Sequence, residues 1–94
     1  MELYNYDILS QLVGEDVLLK DGQDQIVVLE VAEVNKGKLD GDEWEAFSVI
    51  LNGKKEYSLP QGIFTLSHEK FGDVSLFLSP NSETEYETVV TRKR

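Results

Sequence analysis

His68 is the only histidine of this 94-residue sequence, and Glu69 follows it directly. An imidazole titrates near neutral pH, so this pair could supply a catalytic base or a metal ligand. Catalysis would need a positioned partner, and zinc would need several carboxylates because the sequence contains no cysteine. We therefore predict a structural role, in which His68 lies beside a turn, bonds the main chain and fixes a hairpin.

Four carboxylates lie close together in the sequence and could gather a calcium ion: Asp40, Asp42, Glu43 and Glu45. Calcium loops of the EF-hand type place ligands at alternate positions and end on a bidentate glutamate. This segment has neither feature. We predict a solvated loop that holds no metal.

Nucleophilic catalysis by a serine needs an activating base and an orienting acid. The sequence has several serines but no Gly-x-Ser-x-Gly elbow, and His68 is too isolated to complete a triad. It also lacks a glycine-rich phosphate loop and a dinucleotide-binding fingerprint. We predict a protein that is not an enzyme, with no catalytic residue and no cofactor.

The composition is that of a globular domain with an acidic surface. Hydrophobic residues make up 40% and charged residues 29%, and 18 acidic against 9 basic residues give a net charge of −9. This charge repels phosphate backbones and anionic lipids, so we expect neither nucleic acid nor a membrane as partner. The absence of cysteine, of a signal-like start and of an apolar run of about 20 residues predicts a cytoplasmic protein.

The N-terminal part of the chain predicts a short helix followed by two strands. Asp7 could cap this helix, which would end at Gly14 and cover one end of the core. Strands are expected at about residues 16–20 and 25–34. The apolar residues of the second strand change phase near its end, which predicts a β-bulge near residues 32–33.

The middle of the chain predicts a loop, a strand and a turn. Residues 35–43 are strongly polar and are expected to form a mobile loop. Residues 44–51 alternate as a strand, and Asn52-Gly53 is typical of a hairpin turn. We expect a short returning strand at about residues 56–59.

The last third predicts a hairpin and a final strand. Residues 59–62, Leu-Pro-Gln-Gly, suit a type I turn, in which Gln61 would bond neighbouring main-chain groups. Two strands follow, the first of them ending at His68. A last strand is expected at about residues 86–91, and the basic residues 92–94 are expected to fray into solvent.

Alternation of apolar side chains is the feature on which the predicted fold depends. Leu29, Phe47, Leu66 and Leu76 should converge in one core. Short strands with frequent turn signals predict an all-β protein, a small antiparallel barrel or sandwich of six to seven strands with a short N-terminal helix. Residues 1–94 are expected to form a single domain.

Residues 59–68, LPQGIFTLSH, resemble a family of small bacterial proteins that share a leucine-proline-glutamine-glycine turn followed by an aromatic residue, a leucine and a histidine. The similarity extends to several other positions: Phe47 to Leu51, Gly72, Leu76 to Leu78, Pro80, Tyr86 and Glu87, with a weaker match around Leu12 and Leu29. That family is functionally uncharacterised, so the resemblance implies a shared compact fold and no activity. Residues 89–94 extend beyond the family's usual end.

The preferred interpretation is a small interaction domain that binds another protein. The candidate interaction surface comprises Trp44, Ile50, Gln61 and His68, together with an edge strand, and the acidic surface would steer a basic partner. Homodimerisation through an open edge is a further expectation. One alternative is a structural or accessory component of a phage-like or secreted particle, and another is an acidic inhibitor that mimics DNA. The least favoured alternative is an enzyme that uses His68.

Overall fold

Six β-strands make up most of the molecule. The computed structural model describes residues 2–23 and 25–94, with the backbone alone at position 57. The strands are β1 (Asp16–Lys20), β2 (Ile26–Lys36), β3 (Trp44–Asn52), β4 (Gly62–His68), β5 (Gly72–Pro80) and β6 (Glu85–Lys93). A helix, α1 (Tyr6–Gln11), precedes β1, and a 3-10 turn (Lys55–Tyr57) lies between β3 and β4. Within the described ranges, no helix has the length and apolar character that crossing a membrane requires.

The strands close into an antiparallel barrel in the order β1-β2-β3-β6-β5-β4, and β4 pairs back to β1. The chain therefore forms two three-stranded meanders, and the outer strands of one pair with the outer strands of the other. The β3–β6 contact is the longer, with nine residue pairs against three for β1–β4. The all-β prediction is confirmed, and the architecture is a six-stranded barrel rather than a sandwich.

The core consists of the side chains that point into the barrel. Val17 and Leu19 of β1 alternate with exposed neighbours, as expected for a strand with one buried face. Leu29, Phe47 and Leu66 are at most 1% exposed and belong to one cluster. Full burial of each such side chain contributes about 1.5–3 kcal/mol. The predicted alternation is therefore confirmed.

A β-bulge interrupts β2, as predicted. The register with β3 shifts between Val31 and Glu33, so Ala32 is the extra residue. The strand continues to Lys36, further than expected, because its last residues still pair with β3. The loop to β3 therefore begins at Gly37.

The predicted hairpin at Asn52-Gly53 and the returning strand at residues 56–59 are wrong. β3 pairs with β6, which occupies the place that a returning strand would need. The chain crosses the barrel end instead, through the 3-10 turn, and the Gly53 N–H donates to the Thr84 carbonyl at 2.7 Å. This segment lies close to the core, since its residue Leu59 packs against the core cluster.

The opposite barrel end is covered by the N-terminal segment. The helix cap is Asn5 and not Asp7, because the Asn5 side-chain oxygen accepts the Ile8 N–H at 2.8 Å. Leu9 and Leu12 are buried, so the helix packs over the core as expected. The chain leaves it through Gly14, whose φ of +91° favours glycine.

The C-terminal residues do not fray, contrary to expectation, because charged contacts hold them. β6 extends to Lys93, and the Arg92 Nε atom lies 2.6 Å from a carboxylate oxygen of Glu45. Arg92 also donates to the Tyr4 carbonyl at 2.9 Å. Arg94 bonds the Asp40 carboxylate at 3.1 Å. These contacts tie the last strand to the N-terminal segment and to the loop before β3.

Tyr4 lies where β5 and β6 separate. These two strands pair over only three residues each, Leu78–Pro80 with Tyr86–Thr88. The Tyr4 hydroxyl shares a buried hydrogen bond of 2.9 Å with the Thr88 hydroxyl. Its ring packs edge-on against Phe71, with 5.1 Å between centroids. Tyr4 therefore lies in the core beside the point where the ladder ends.

Replacement of Tyr4 should reveal a pH dependence that comes from this burial. Desolvation raises the pKa of Tyr4 to about 12, above the ordinary value near 10, so the folded state holds the phenol proton more tightly. The contribution of this protonated phenol to the free energy of unfolding is therefore fully present below pH 10. It is lost between pH 10 and 12 and amounts to about 2–3 kcal/mol. Urea unfolding at pH 8 and pH 11.5 should show this loss in the wild type. Tyr4→Phe should be weaker at pH 8 by about 1–2 kcal/mol but should lose less on going to pH 11.5; an equal loss in both proteins would contradict the assignment.

Gly53→Ala should destabilise the protein although it adds only one methyl group. The new Cβ would lie 2.7 Å from Leu29 Cδ2, and Leu29 is fully buried and cannot move aside freely. We expect a loss of about 1–3 kcal/mol in the free energy of unfolding, as for other overpacked sites. Gly22→Ala is the matched control, since its Cβ would meet no atom within 4 Å. Equal stability of the two variants would refute the close packing at Gly53.

Candidate interaction surface

His68 lies at the end of β4 and its ring faces the barrel end. The Nδ1 atom accepts the Lys70 N–H at 3.0 Å across the turn that joins β4 to β5. The Nε2 atom lies 3.4 Å from a carboxylate oxygen of Glu15, and the ring stacks on Phe71 at 5.8 Å between centroids. Both nitrogens are therefore engaged with groups of the protein itself. This is the geometry predicted for a residue that fixes the hairpin.

The surroundings of His68 offer a shallow groove with an acidic border. Its lining includes Asp16, Ser67, Glu69 and Asp73. Ser67 precedes His68 in the strand, so its side chain points to the other face of the sheet. Since the Nδ1 atom accepts a main-chain N–H, it does not face a hydroxyl that it could activate.

Two of the four acidic residues, Asp40 and Glu45, contact cations. Asp40 accepts hydrogen bonds from the Ala46 N–H and from Arg94, each at 3.1 Å. Glu45 contacts Arg92. Within residues 2–23 and 25–94, no three carboxylate or imidazole side chains are grouped as a metal site would require. Asp40 and Glu45 thus contribute to the closure of the barrel end.

The four residues of the predicted interaction surface are not brought together. Trp44 begins β3 and is 40% exposed, whereas Ile50 on the same strand is 9% exposed and belongs to the buried set. Gln61 is exposed just before β4, and His68 ends that strand. Seven residue steps along the strand place Gln61 and His68 about 23 Å apart. The four residues therefore do not form one contiguous patch.

A different apolar surface lies on the outside of the barrel, which we call the apolar face. It comprises two neighbouring groups, Leu18, Ile26 and Val28 on β1 and β2, and Ile63 and Phe77 on β4 and β5, with Thr65 between them. Leu18 pairs directly with Val28, and Ile63 pairs directly with Phe77. The five side chains are between 44% and 76% exposed. Apolar residues scattered singly are normal on a protein surface, whereas aligned pairs across neighbouring strands form a patch.

The sequence does contain a signal for the apolar face. Residues 26–29 read Ile-Val-Val-Leu without a polar residue. In a strand with one solvent-exposed face, apolar residues normally alternate with polar residues. In a closed barrel one half of such a run must point outwards. The period-two pattern that includes Leu29 identifies only the side chains that point into the core. It does not show what covers Ile26 and Val28.

Charged residues of both signs border the apolar face. Asp16 and Glu30 form a pair across β1 and β2 at one end. Lys20 lies at the other end of β1, opposite Ile26. The β1–β2 part of the face therefore has an acidic end and a basic end. Lys54 lies along its side, where it lines one hollow with Ile26 and Val28 and a second hollow with Glu30.

Comparison with known proteins identifies a family but no activity. The family model described as a domain of unknown function (DUF6916) matches residues 4–90. Neither the curated proteins nor the solved structures include a significant match.

His68→Ala should weaken the fold, because it removes the Lys70 hydrogen bond and the ring contact with Phe71. We expect a loss of about 1–2 kcal/mol in the free energy of unfolding, measured by urea denaturation. Glu69→Ala, an exposed neighbour in the same turn, is the control and should change stability by less than about 0.5 kcal/mol. Unchanged stability in His68→Ala would rule out the structural role.

Proposed function

Because the chain belongs to DUF6916, a family of domains of unknown function, we propose its function from its surface: a non-enzymatic interaction domain that binds another protein through the apolar face. The observation that carries the proposal is the direct cross-strand alignment of Leu18 with Val28 and of Ile63 with Phe77, all exposed. Each aligned pair leaves an apolar patch that gains free energy when a partner removes it from water, and Lys20 and Thr65 lie between the two patches.

The closure of the barrel supports a face rather than an edge as the contact. Every strand of the described chain pairs with two neighbours, so the expected edge-strand contact is restricted to places where a ladder is short, such as the three residue pairs between β5 and β6. Binding by added β-strand needs such an edge. The outer faces are then the surfaces on which a partner can dock.

The arrangement of carboxylates gives less support to the DNA-mimic alternative. Such an inhibitor would need rows of uncompensated negative charge that imitate phosphates. Asp40 and Glu45 are paired with arginines, and Glu83 lies 3.5 Å from the Lys55 ammonium. Cations therefore interrupt the acidic surface at several points.

A photo-crosslinking residue at position 65 tests the proposal in cells of the native host. Thr65 pairs with Lys20 on one side and with Ser75 on the other, so it lies between the two apolar pairs. We expect a defined protein adduct from position 65 that is lost when Leu18→Glu is added. Position 91 on β6, on the far side of the barrel from β1, is the matched control and should give no such adduct.

Two results would overturn the proposal. One is the absence of any adduct from position 65; the other is an adduct that Leu18→Glu leaves unchanged. Val89→Glu controls for added charge, since Val89 is also exposed and lies on β6. Circular dichroism must show that each variant is folded.

A further inference from the structure

The part of the apolar face on β1 and β2 continues into the shallow groove beside His68. Leu18 belongs to both, because it pairs with Val28 on one side and with Ser67 on the other, and it lines the groove. Ser67 pairs in turn with Asp73 on β5. The groove has a volume of about 540 Å³, which is room for one long side chain with its bound water. The apolar surface therefore leads directly into a polar recess.

Three carboxylates line this groove without a cation to balance them in the described part of the chain. They belong to Asp16, Glu69 and Asp73, which take part in none of the ion pairs that the structure describes. His68 also lines the groove, but a carboxylate oxygen of Glu15 lies 3.4 Å from its Nε2 atom. The charge of the groove is therefore negative.

The position of Asp16 is a second indication that a cation fits here. Asp16 lies directly opposite Glu30 on β2, and both residues are exposed. Like charges directly opposite each other in neighbouring strands destabilise a sheet. Asp16 also lies about 7 Å along β1 from Leu18, within reach of a long basic side chain whose methylene groups cover Leu18. Such a side chain would relieve the repulsion and remove apolar surface from water.

We infer that the protein bound by the apolar face presents a lysine or arginine beside an apolar side chain, with the apolar side chain on Val28 and the basic one in the groove. This inference rests on the proposed function, since it names the chemistry of the partner at the same face. The basic side chain packs its methylene groups on Leu18, and its charged group bonds the carboxylates of Asp16 and Asp73.

The charges around the rest of this surface limit the partner to a local positive charge. Lys54 lines a hollow with Ile26 and Val28, so a uniformly basic surface would place positive charge against it. A second copy of the chain carries a net charge of −9 and would bring further carboxylates to a groove that is already negative. One basic residue beside an apolar one fits both the groove and the hollow.

Neutralisation of the groove tests the inference in the photo-crosslinking assay, with the crosslinking residue kept at position 65. The groove variant combines Asp16→Asn, Glu69→Gln and Asp73→Asn, which preserve the size of each side chain. It should lower the yield of the adduct about tenfold, because the cation of the partner loses the groups that it bonds. If the groove variant does not fold, Asp16→Asn alone should still lower the yield, and an unchanged yield would overturn the inference.

A control variant carries the same change in net charge elsewhere on the barrel. It combines Asp42→Asn, Glu43→Gln and Glu87→Gln, on or beside β3 and β6, which pair with neither β1 nor β4. Its adduct yield should equal that of the wild type. The urea midpoint of Asp16→Asn should not fall, since this change removes a repulsion with Glu30. A lower midpoint would assign Asp16 a role in the fold and would overturn the inference.

A second crosslinking position identifies the chemistry of the partner. Ser67 lies in the groove between Leu18 and Asp73, so a photo-crosslinking residue there should attach to the partner beside its cation. Digestion of this adduct with a protease that cleaves after glutamate, followed by mass spectrometry, identifies the attached segment. We expect a lysine or arginine next to an apolar residue in that segment.

The outcomes separate this inference from the proposed function. An adduct from position 65 that the groove variant leaves unchanged, an equal loss in the control variant, or an attached segment that is acidic, neutral or part of a second copy would each overturn the basic partner. The proposed function stands in those cases, because the apolar face still binds a protein. Absence of the adduct in the wild type overturns both.

Discussion

The pairing of β3 with β6 is the constraint on which the structure depends. These strands are far apart in the sequence, yet they share nine residue pairs, the longest ladder of the barrel. Without that contact the two meanders would be joined through β1 and β4 alone, as an open sheet with β3 and β6 at its edges. Closure converts them into one core and decides which side chains face water. The same ladder brings Arg92 and Arg94 to the barrel end, where Glu45, Asp40 and the Tyr4 carbonyl receive them.

The sequence predicted local features well and long-range pairing poorly. Alternation identified the strands and their inward faces, and the change of phase in β2 identified the bulge. The choice of β6 as the neighbour of β3 depends on contacts between distant segments, and the Asn52-Gly53 pair favours a local hairpin in isolation. Local propensity was overruled there because nine ladder pairs outweigh one turn preference.

The candidate surface shows the same limit. Trp44 and Ile50 share the outer face of one strand, yet Trp44 is 40% exposed and Ile50 is 9% exposed. Exposure is a property of what lies above a strand, and a period-two pattern contains no information about that. His68 was predictable because its role is local: the Lys70 N–H that it accepts is two residues away. The apolar face needed knowledge that β1 lies between β2 and β4, which only the closed topology supplies.

The short β5–β6 ladder makes the wall of the barrel uneven in strength. Three residue pairs hold this seam, and the aromatic ring of Tyr4, anchored 84 positions away on Thr88, completes it. Amide protons bordering such a seam exchange with solvent through small local openings, at lower free energy than global unfolding requires. We therefore expect the N-terminal residues to detach before the barrel unfolds. Their release would hydrate the core from one side while the β3–β6 ladder stayed intact.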